Sequence, residues 1–378
     1  MTLIAHSINF RVPFIVGDLL LSGNEKVPFT PPTVFVDVSQ YLDEPYRKYF
    51  PAELAQKIYV VAPRLAVALS GSVYEMNEFL KELRHICKVY DNNIKQNHIH
   101  RFLKDYDLPA NFGKASFYMM LVEHTDENSI FVSEFNFGNW NNVESDVYNK
   151  ISANGSGAKG FNEWANAPVK FISSHEKGDI WYAIQANVSL MAKLMAIEWS
   201  TLGTIKKNWG AGFELMFYDG TTFIKFDQVA YLIFEAEFDE EGNIGDPFLT
   251  KAIYYEYKGE VLKIVSIDIG EAEYREENEL LQVRGTSLRV GIFPVYPIDL
   301  EDANYQDEPE SNISFQTWRV GAAVIVTKKK ERLYIPAFFN EGPELRVDFK
   351  QGKSFEVTMM VEVMRRIRGH SKEAYPNV

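Results

Sequence analysis

The passage from Lys57 to Tyr90 constrains this chain more than any other. Lys57–Ala62 and Leu65–Ser70 are short apolar runs that turn at Pro63-Arg64. Such runs, bounded by turn residues, predict a pair of strands. Gly71 and Ser72 follow, and the serine is suited to capping a helix. Val73, Met76, Phe79, Leu80, Leu83 and Ile86 then recur at the helical period. That period predicts a helix over Ser72–Tyr90 with one apolar face.

The flanking sequence reads in the same way. Leu3–Phe10 and Pro13–Ser22 predict two strands that turn near Arg11. Residues 24–56 form a long excursion with Pro28, Pro31 and Pro32, expected to be partly helical near Pro51–Gln56. A smaller helix is expected around His98–Tyr106, and a strand pair over Ser116–Glu123 and Ser129–Phe135. Gly155-Ser156-Gly157 marks a turn before a short helical stretch through Trp164. The long helix Ile180–Leu202 carries the stripe Ile184, Val188, Met191, Met195 and Trp199, and the tryptophans Trp164, Trp181 and Trp199 read as helix packing. Phe213–Tyr218 and Thr222–Phe226 predict a hairpin across Asp219-Gly220, a dipeptide suited to a primed turn. From Val229 the chain reads as strands and turns, with a turn at Asp239–Asn243 and an acidic loop over 300–311. For 378 residues the expectation is two domains, residues 1–238 and a β-rich domain over 239–378.

Composition narrows the chemistry. A formal charge of −13 argues against wrapping a phosphate backbone, so no nucleic-acid partner is expected. Lys328–Lys330 and Arg365-Arg366 read as solvated strand ends. The single cysteine, Cys87, excludes an intramolecular disulfide and a cysteine metal cluster, and it reads as a buried thiol of the first helix. His98 and His100 are two apart and do not share a helical face; His6, His124 and His175 show no ligand spacing. No phosphate-binding glycine loop is present. Neither metal nor organic cofactor is therefore expected. No apolar run reaches about 18 residues and the start lacks a secretory pattern, so a cytoplasmic protein without a membrane partner is the expectation.

The order of elements matches an α+β four-layer αββα sandwich, with two stacked sheets covered by helices on both outer faces, followed by the β-rich domain. The segment Lys57-Ile-Tyr-Val-Val-Ala-Pro-Arg-Leu-Ala-Val-Ala-Leu-Ser-Gly-Ser72 resembles the proteasome β-subunit type of N-terminal-nucleophile hydrolase, a threonine peptidase family. In that family a threonine exposed by processing begins the first strand, and an aspartate sixteen positions on ends the second; here these are Thr2 and Asp18. The family lysine precedes an oxyanion glycine by fourteen positions, as Lys57 precedes Gly71. A later Gly-Ser-Gly places a serine beside the nucleophile, here Ser156. The resemblance covers residues 2–226.

What it implies is a threonine-nucleophile hydrolase. A free Thr2 amine, left after Met1 is removed, serves as base for the Thr2 hydroxyl. Lys57 lowers the pKa of both groups, and Asp18 holds the lysine. The Gly71 N–H faces the oxyanion at the start of a helix. By family position the substrate pocket is lined by Leu21, Ser22, Ala55, Leu69 and Val73, an apolar set that favours apolar side chains before the cleaved bond. Relatives work as rings, so a homo-oligomer acting on peptide or protein substrates is implied. Two departures stand out. Lys206 and Trp209 occupy places where the family has an aspartate and a serine that orient the amine, and Leu3 follows the nucleophile where the family has a small polar residue. The rival readings are a catalytically silent subunit that binds or scaffolds a partner through the β-rich domain, and an amidase with a closed pocket.

Overall fold

The computed structural model describes residues 2–9, 12–42, 47–124, 130–145, 148–166, 179–237, 245, 247–277, 280–299, 313–316, 320–327, 333–340, 345–350 and 354–360. Met1, His175, the turn at 239–243, the loop at 300–311 and the basic runs at 328–330 and 365–366 lie outside the described residues.

In chain order the first strands are β1 (Leu3–Asn9), β2 (Val12–Asp18), β3 (Leu20–Gly23), β4 (Phe50–Gln56), β5 (Ile58–Ala62) and β6 (Leu65–Gly71). The helices α1 (Val73–Val89), α2 (Gln96–Asp105) and the short α3 (Leu108–Asn111) follow. Next come β7 (Ala115–His124), β8 (Ile130–Phe137), β9 (Asn141–Ser145) and β10 (Asn149–Gly155), then α4 (Ala158–Asn166) and α5 (Ile180–Thr201). The remainder is β11 (Phe213–Tyr218), β12 (Phe223–Lys225), β13 (Val229–Ala236), β14 (Phe248–Lys258), β15 (Val261–Glu277) and β16 (Leu280–Pro297). The last strands are β17 (Ile313–Gln316), β18 (Val320–Thr327), β19 (Leu333–Asn340), β20 (Leu345–Lys350) and β21 (Ser354–Met360).

These strands form three sheets. One has the order β12-β11-β2-β1-β10-β9, and a smaller one the order β5-β6-β7-β8. Alternation along each strand decides what each face meets. Ile4, Ile15, Ala66, Ala68, Tyr118, Met120 and Met216 fill the core where the two sheets stack. The opposite faces carry Val67, Leu69, Phe117 and Met119 toward α1 and α2, and Leu3, Phe14, Val16 and Leu215 toward α4 and α5.

The third sheet corrects the expected fold. It holds eleven strands, with a main run β17-β20-β21-β16-β15-β14-β13-β18-β19 and a β3–β4 hairpin joined through β16. Its inner face puts Tyr231, Ile233, Tyr255, Ile264 and Val324 into the same core as α5. The molecule is mostly β, with three sheets and five α-helices among the described residues, and is not a four-layer αββα sandwich. The physical reason lies in α5. A surface helix has one apolar stripe, but α5 is buried on all sides from Tyr182 to Glu198. Its length and mean hydropathy of 1.2 match a membrane-spanning segment by composition, and 89% of that stretch is buried inside the fold. An outer layer cannot do this; α5 needs a sheet on its far side.

Two details of register follow. Residues Phe50–Gln56 form a strand where a helical stretch is expected, because β4 pairs antiparallel with β3 and parallel with β16. Tertiary pairing here overrides the helix propensity of Ala-Glu-Leu-Ala-Gln. Strand β13, which precedes residue 239, hydrogen-bonds to β14 and runs parallel to β18.

Candidate functional site

The site is built where β1, β2 and β5 begin or end. β2 lies beside β1 in antiparallel register, Ile4 opposite Gly17, which carries Asp18 to the start of β1. Asp18 Oδ1 accepts hydrogen bonds from Thr2 Oγ1 at 2.7 Å, from the Leu3 N–H at 2.8 Å and from Lys57 Nζ at 2.5 Å. Its Oδ2 accepts from the Gly210 N–H at 2.7 Å. Lys57 Nζ also donates to the Leu20 carbonyl at 2.5 Å. The centre is thus formed by three residues, Thr2, Asp18 and Lys57, with the Leu3 and Gly210 N–H groups on the same carboxylate.

All three are buried: Thr2 is 2% exposed, and Asp18 and Lys57 are 0%. Burial pushes the Lys57 ammonium below the usual lysine range, and the Asp18 carboxylate opposes that push. A lysine held in this way can bias a neighbouring hydroxyl and amine toward their deprotonated forms.

Ser156 stands on the carbonyl side of Thr2. Its hydroxyl donates to the Thr2 carbonyl at 3.5 Å and to the Asn208 carbonyl at 3.1 Å. The serine is exposed, so solvent reaches the site from this side. Gly155 before it has φ +97°, and a Cβ there would stand 1.9 Å from the Thr2 carbonyl oxygen. The glycine is therefore required by the approach of β10 to the start of β1, which pair Gly155 with Leu3. Arg47 reaches over from the excursion and donates to Asn208 Oδ1 at 2.7 Å.

Gly71 ends β6 with φ +113°. A Cβ on it would stand 2.3 Å from the Lys114 carbonyl oxygen, so the close approach of β7 accounts for this glycine on its own. Ser70 Oγ donates to Asn154 Oδ1 at 3.1 Å, which ties this end of β6 to β10 next to Gly155.

The five expected pocket residues lie at different depths and on different elements. Leu69 is buried in the core beneath α1 and α2, on the face of β6 turned away from the six-stranded sheet. Val73 is 40% exposed at the start of α1. Leu21 and Ser22 pair with Glu53 and Pro51 in the β3–β4 hairpin, and Ala55 lies opposite Tyr296 of β16. Of the residues that depart from the family pattern, Leu3 is buried and Lys206 is exposed. Trp209 is buried against glycines: a Cβ on Gly157 would stand 2.7 Å from its ring. Its Nε1 has no hydrogen-bond partner among the described residues.

Two further carboxylates belong to this region. Glu214 accepts from the Lys57 N–H at 2.9 Å, from Lys225 Nζ at 2.9 Å and from Tyr257 Oη at 2.7 Å, linking the lysine strand to the third sheet. Glu198, on the last turn of α5, accepts from the Ala211 N–H. The sequence does carry one signal for Glu198: it is the sole acid in a helix whose residues are mostly apolar. His6 has no part in the centre. It stacks on Tyr118 at 3.4 Å, and burial followed by the charge of Lys150 lowers it to about 3. Among the described residues no group of three or more His, Cys, Asp or Glu side chains could hold a metal. With this geometry in view, the chain was compared with known proteins: no family model matches it, and no curated protein matches it.

Proposed function

We propose that this chain is a threonine-nucleophile hydrolase that cleaves amide bonds. The observation that carries the reading is the Asp18 carboxylate shared by Thr2 Oγ1 and Lys57 Nζ. Removal of Met1 creates a free amine on Thr2. That amine takes the Oγ1 proton as Oγ1 attacks the substrate carbonyl carbon. The tetrahedral intermediate collapses, and the departing amine leaves with the proton held on the Thr2 ammonium. Water then cleaves the threonine ester and restores the hydroxyl. Lys57 keeps the Thr2 amine and hydroxyl electrostatically poised, and Asp18 fixes both partners. Peptides are the substrate class, since amide bonds are the chemistry that this centre suits.

The burial of Thr2 favours a second reading, a catalytically silent subunit in which the same triad is structural. One experiment separates the two. The intact mass of the purified protein, before and after a threonine-directed β-lactone, reports both Met1 removal and acylation. Loss of Met1 and addition of one label, absent in Thr2→Ala, is the expected result. Quantitative retention of Met1 in the native host sinks the hydrolase reading.

A further inference from the structure

We infer, building on the reading of Thr2 as nucleophile, that Glu198 is its positioning residue, acting through the Asn208–Gly212 loop that grips Asp18. The only charged residues of α5 are Lys193 and Glu198. Glu198 is 0% exposed and sits on the last helical turn, where the helix dipole disfavours a negative charge. Such a placement is costly for a carboxylate, and burial moves Glu198 toward the neutral acid, up to about 8. The group makes specific contacts in return. Both carboxyl oxygens accept from the Ala211 N–H at 3.1 Å, and the Thr204 and Thr33 side chains act on the carboxyl in the direction that favours its charged form.

The loop it holds is unusual. Asn208, Gly210, Ala211 and Gly212 all have positive φ, at 59°, 106°, 61° and 104°. A side chain on Gly210 would displace the Glu198 carboxyl, because its Cβ would stand 1.7 Å from Oε1. Glycine adopts such angles freely, but Ala211 does not, and its left-handed conformation persists only where its surroundings enforce it. The loop touches the centre at several points. The Gly210 N–H donates to Asp18 Oδ2. The Gly210 carbonyl accepts from Leu19 N at 3.2 Å and Leu20 N at 3.0 Å, and the Gly212 carbonyl accepts from Leu19 N at 3.1 Å. The Asn208 carbonyl accepts from Ser156, which also reaches Thr2. A carboxyl that fixes Ala211 thereby fixes the neighbouring Gly210 N–H that orients Asp18, and so the approach of Asp18 to Thr2 and Lys57. The chemistry requires an acceptor of glutamate length at this place, charged or neutral.

Three variants test this. Glu198→Gln keeps the length and an acceptor, Glu198→Asp withdraws the carboxyl by one methylene, and Glu198→Leu removes it. Two readouts are taken: the second-order rate of Thr2 acylation by a β-lactone, followed by intact mass, and hydrogen exchange at the Gly210 and Ala211 amides. The glutamine variant is expected to label close to the wild-type rate with both amides protected. The aspartate and leucine variants are expected to label about 10–100-fold more slowly, the scale of a misplacement near 1 Å. Both amides should exchange faster in those two while the circular dichroism stays native. Should the leucine variant fail to fold, the aspartate variant decides alone. Wild-type rates and protection in the aspartate or leucine variant overturn the inference, as does failure of the glutamine variant to rescue. If the wild-type protein takes no label, the nucleophile reading fails, and the exchange data alone decide whether Glu198 holds the loop on Asp18.

Discussion

Among the described residues two lysine–aspartate pairs have a fully buried lysine, and only one of them looks like chemistry. Lys57 meets Asp18 at 2.5 Å and Lys251 meets Asp268 at 2.7 Å, and both lysine side chains are 0% exposed. The aspartates differ. Asp268 is 22% exposed and reaches water, while Asp18 is sealed and accepts four hydrogen bonds, one of them from a threonine hydroxyl. Lys251 lies over the Phe35 ring at 4.1 Å, a common way to accommodate an ammonium in a wall of apolar side chains. A buried ion pair is weak evidence of anything by itself. The informative feature at Asp18 is the hydroxyl that shares the carboxylate with the lysine.

The largest effect that this contrast predicts is at Asp18. Asp18→Ala leaves the Lys57 ammonium and the Leu3 and Gly210 N–H groups without their acceptor. Breaking a buried pair from one side costs about 3–5 kcal/mol, so urea unfolding should show a loss on that scale. A loss below about 1 kcal/mol would place Asp18 with the ordinary exposed pairs and remove the contrast.

The next effect is backbone in origin. Gly155→Ala forces a side chain into a left-handed conformation with its Cβ against the Thr2 carbonyl. Strain of this kind costs roughly 2–3 kcal/mol, and the displaced Thr2 should also lose its acylation. Gly220→Ala is the control. It shares a positive φ of 103° but meets nothing within 4 Å, so it should show the cost of backbone strain alone and leave Thr2 labelling untouched.

The same contrast marks how much of the molecule is legible in the sequence. The spacings from Thr2 to Asp18 and from Lys57 to Gly71 pick out residues that meet or lie at the same end of the stack, because strand ends a fixed number of residues apart return to the same place. The pocket is not legible by the same means. Alternation along β6 sends Leu65, Val67 and Leu69 to α1 and α2 and leaves Ala66 and Ala68 facing the other sheet. Family position alone does not say which face of β6 Leu69 takes. The architecture escapes a sequence reading that gives α5 a single stripe. Ala183, Ala186, Leu190, Leu194 and Ile197 lie off that stripe and are also buried, the pattern of a helix enclosed on both sides. Glu198 has no sequence neighbour that points to its role, because its partner, the Ala211 N–H, is brought to it only by tertiary structure.

A smaller effect is expected at the nucleophile itself. Thr2→Ala removes one hydrogen bond to a charged acceptor, worth roughly 1.5 kcal/mol, while Lys57 and two N–H groups remain on Asp18. Thermal unfolding should therefore move little, although β-lactone labelling disappears. A large loss of stability in Thr2→Ala would favour the structural role for the triad.

The smallest effect at neutral pH is predicted for the other pair. Lys251→Met exchanges a desolvated ammonium for an apolar side chain of similar length, and leaves Asp268 with access to water. Such replacements are close to neutral, so the change should stay within about 1 kcal/mol. The pH dependence is the sharper test. Burial lowers Lys251 to about 8, with Asp268 opposing the shift, against a value of 10.5 for the free side chain. Between these values the unfolded chain binds the proton that the folded chain has released. Stability therefore rises with pH from about 8 to 10.5 on account of this group. Urea midpoints measured across that interval should climb less steeply in Lys251→Met than in the wild type. An unchanged slope would mean that Lys251 keeps its proton inside the fold. The two lysines would then differ less than their surroundings suggest, and the hydroxyl at Asp18 would be left as the sole distinction between them.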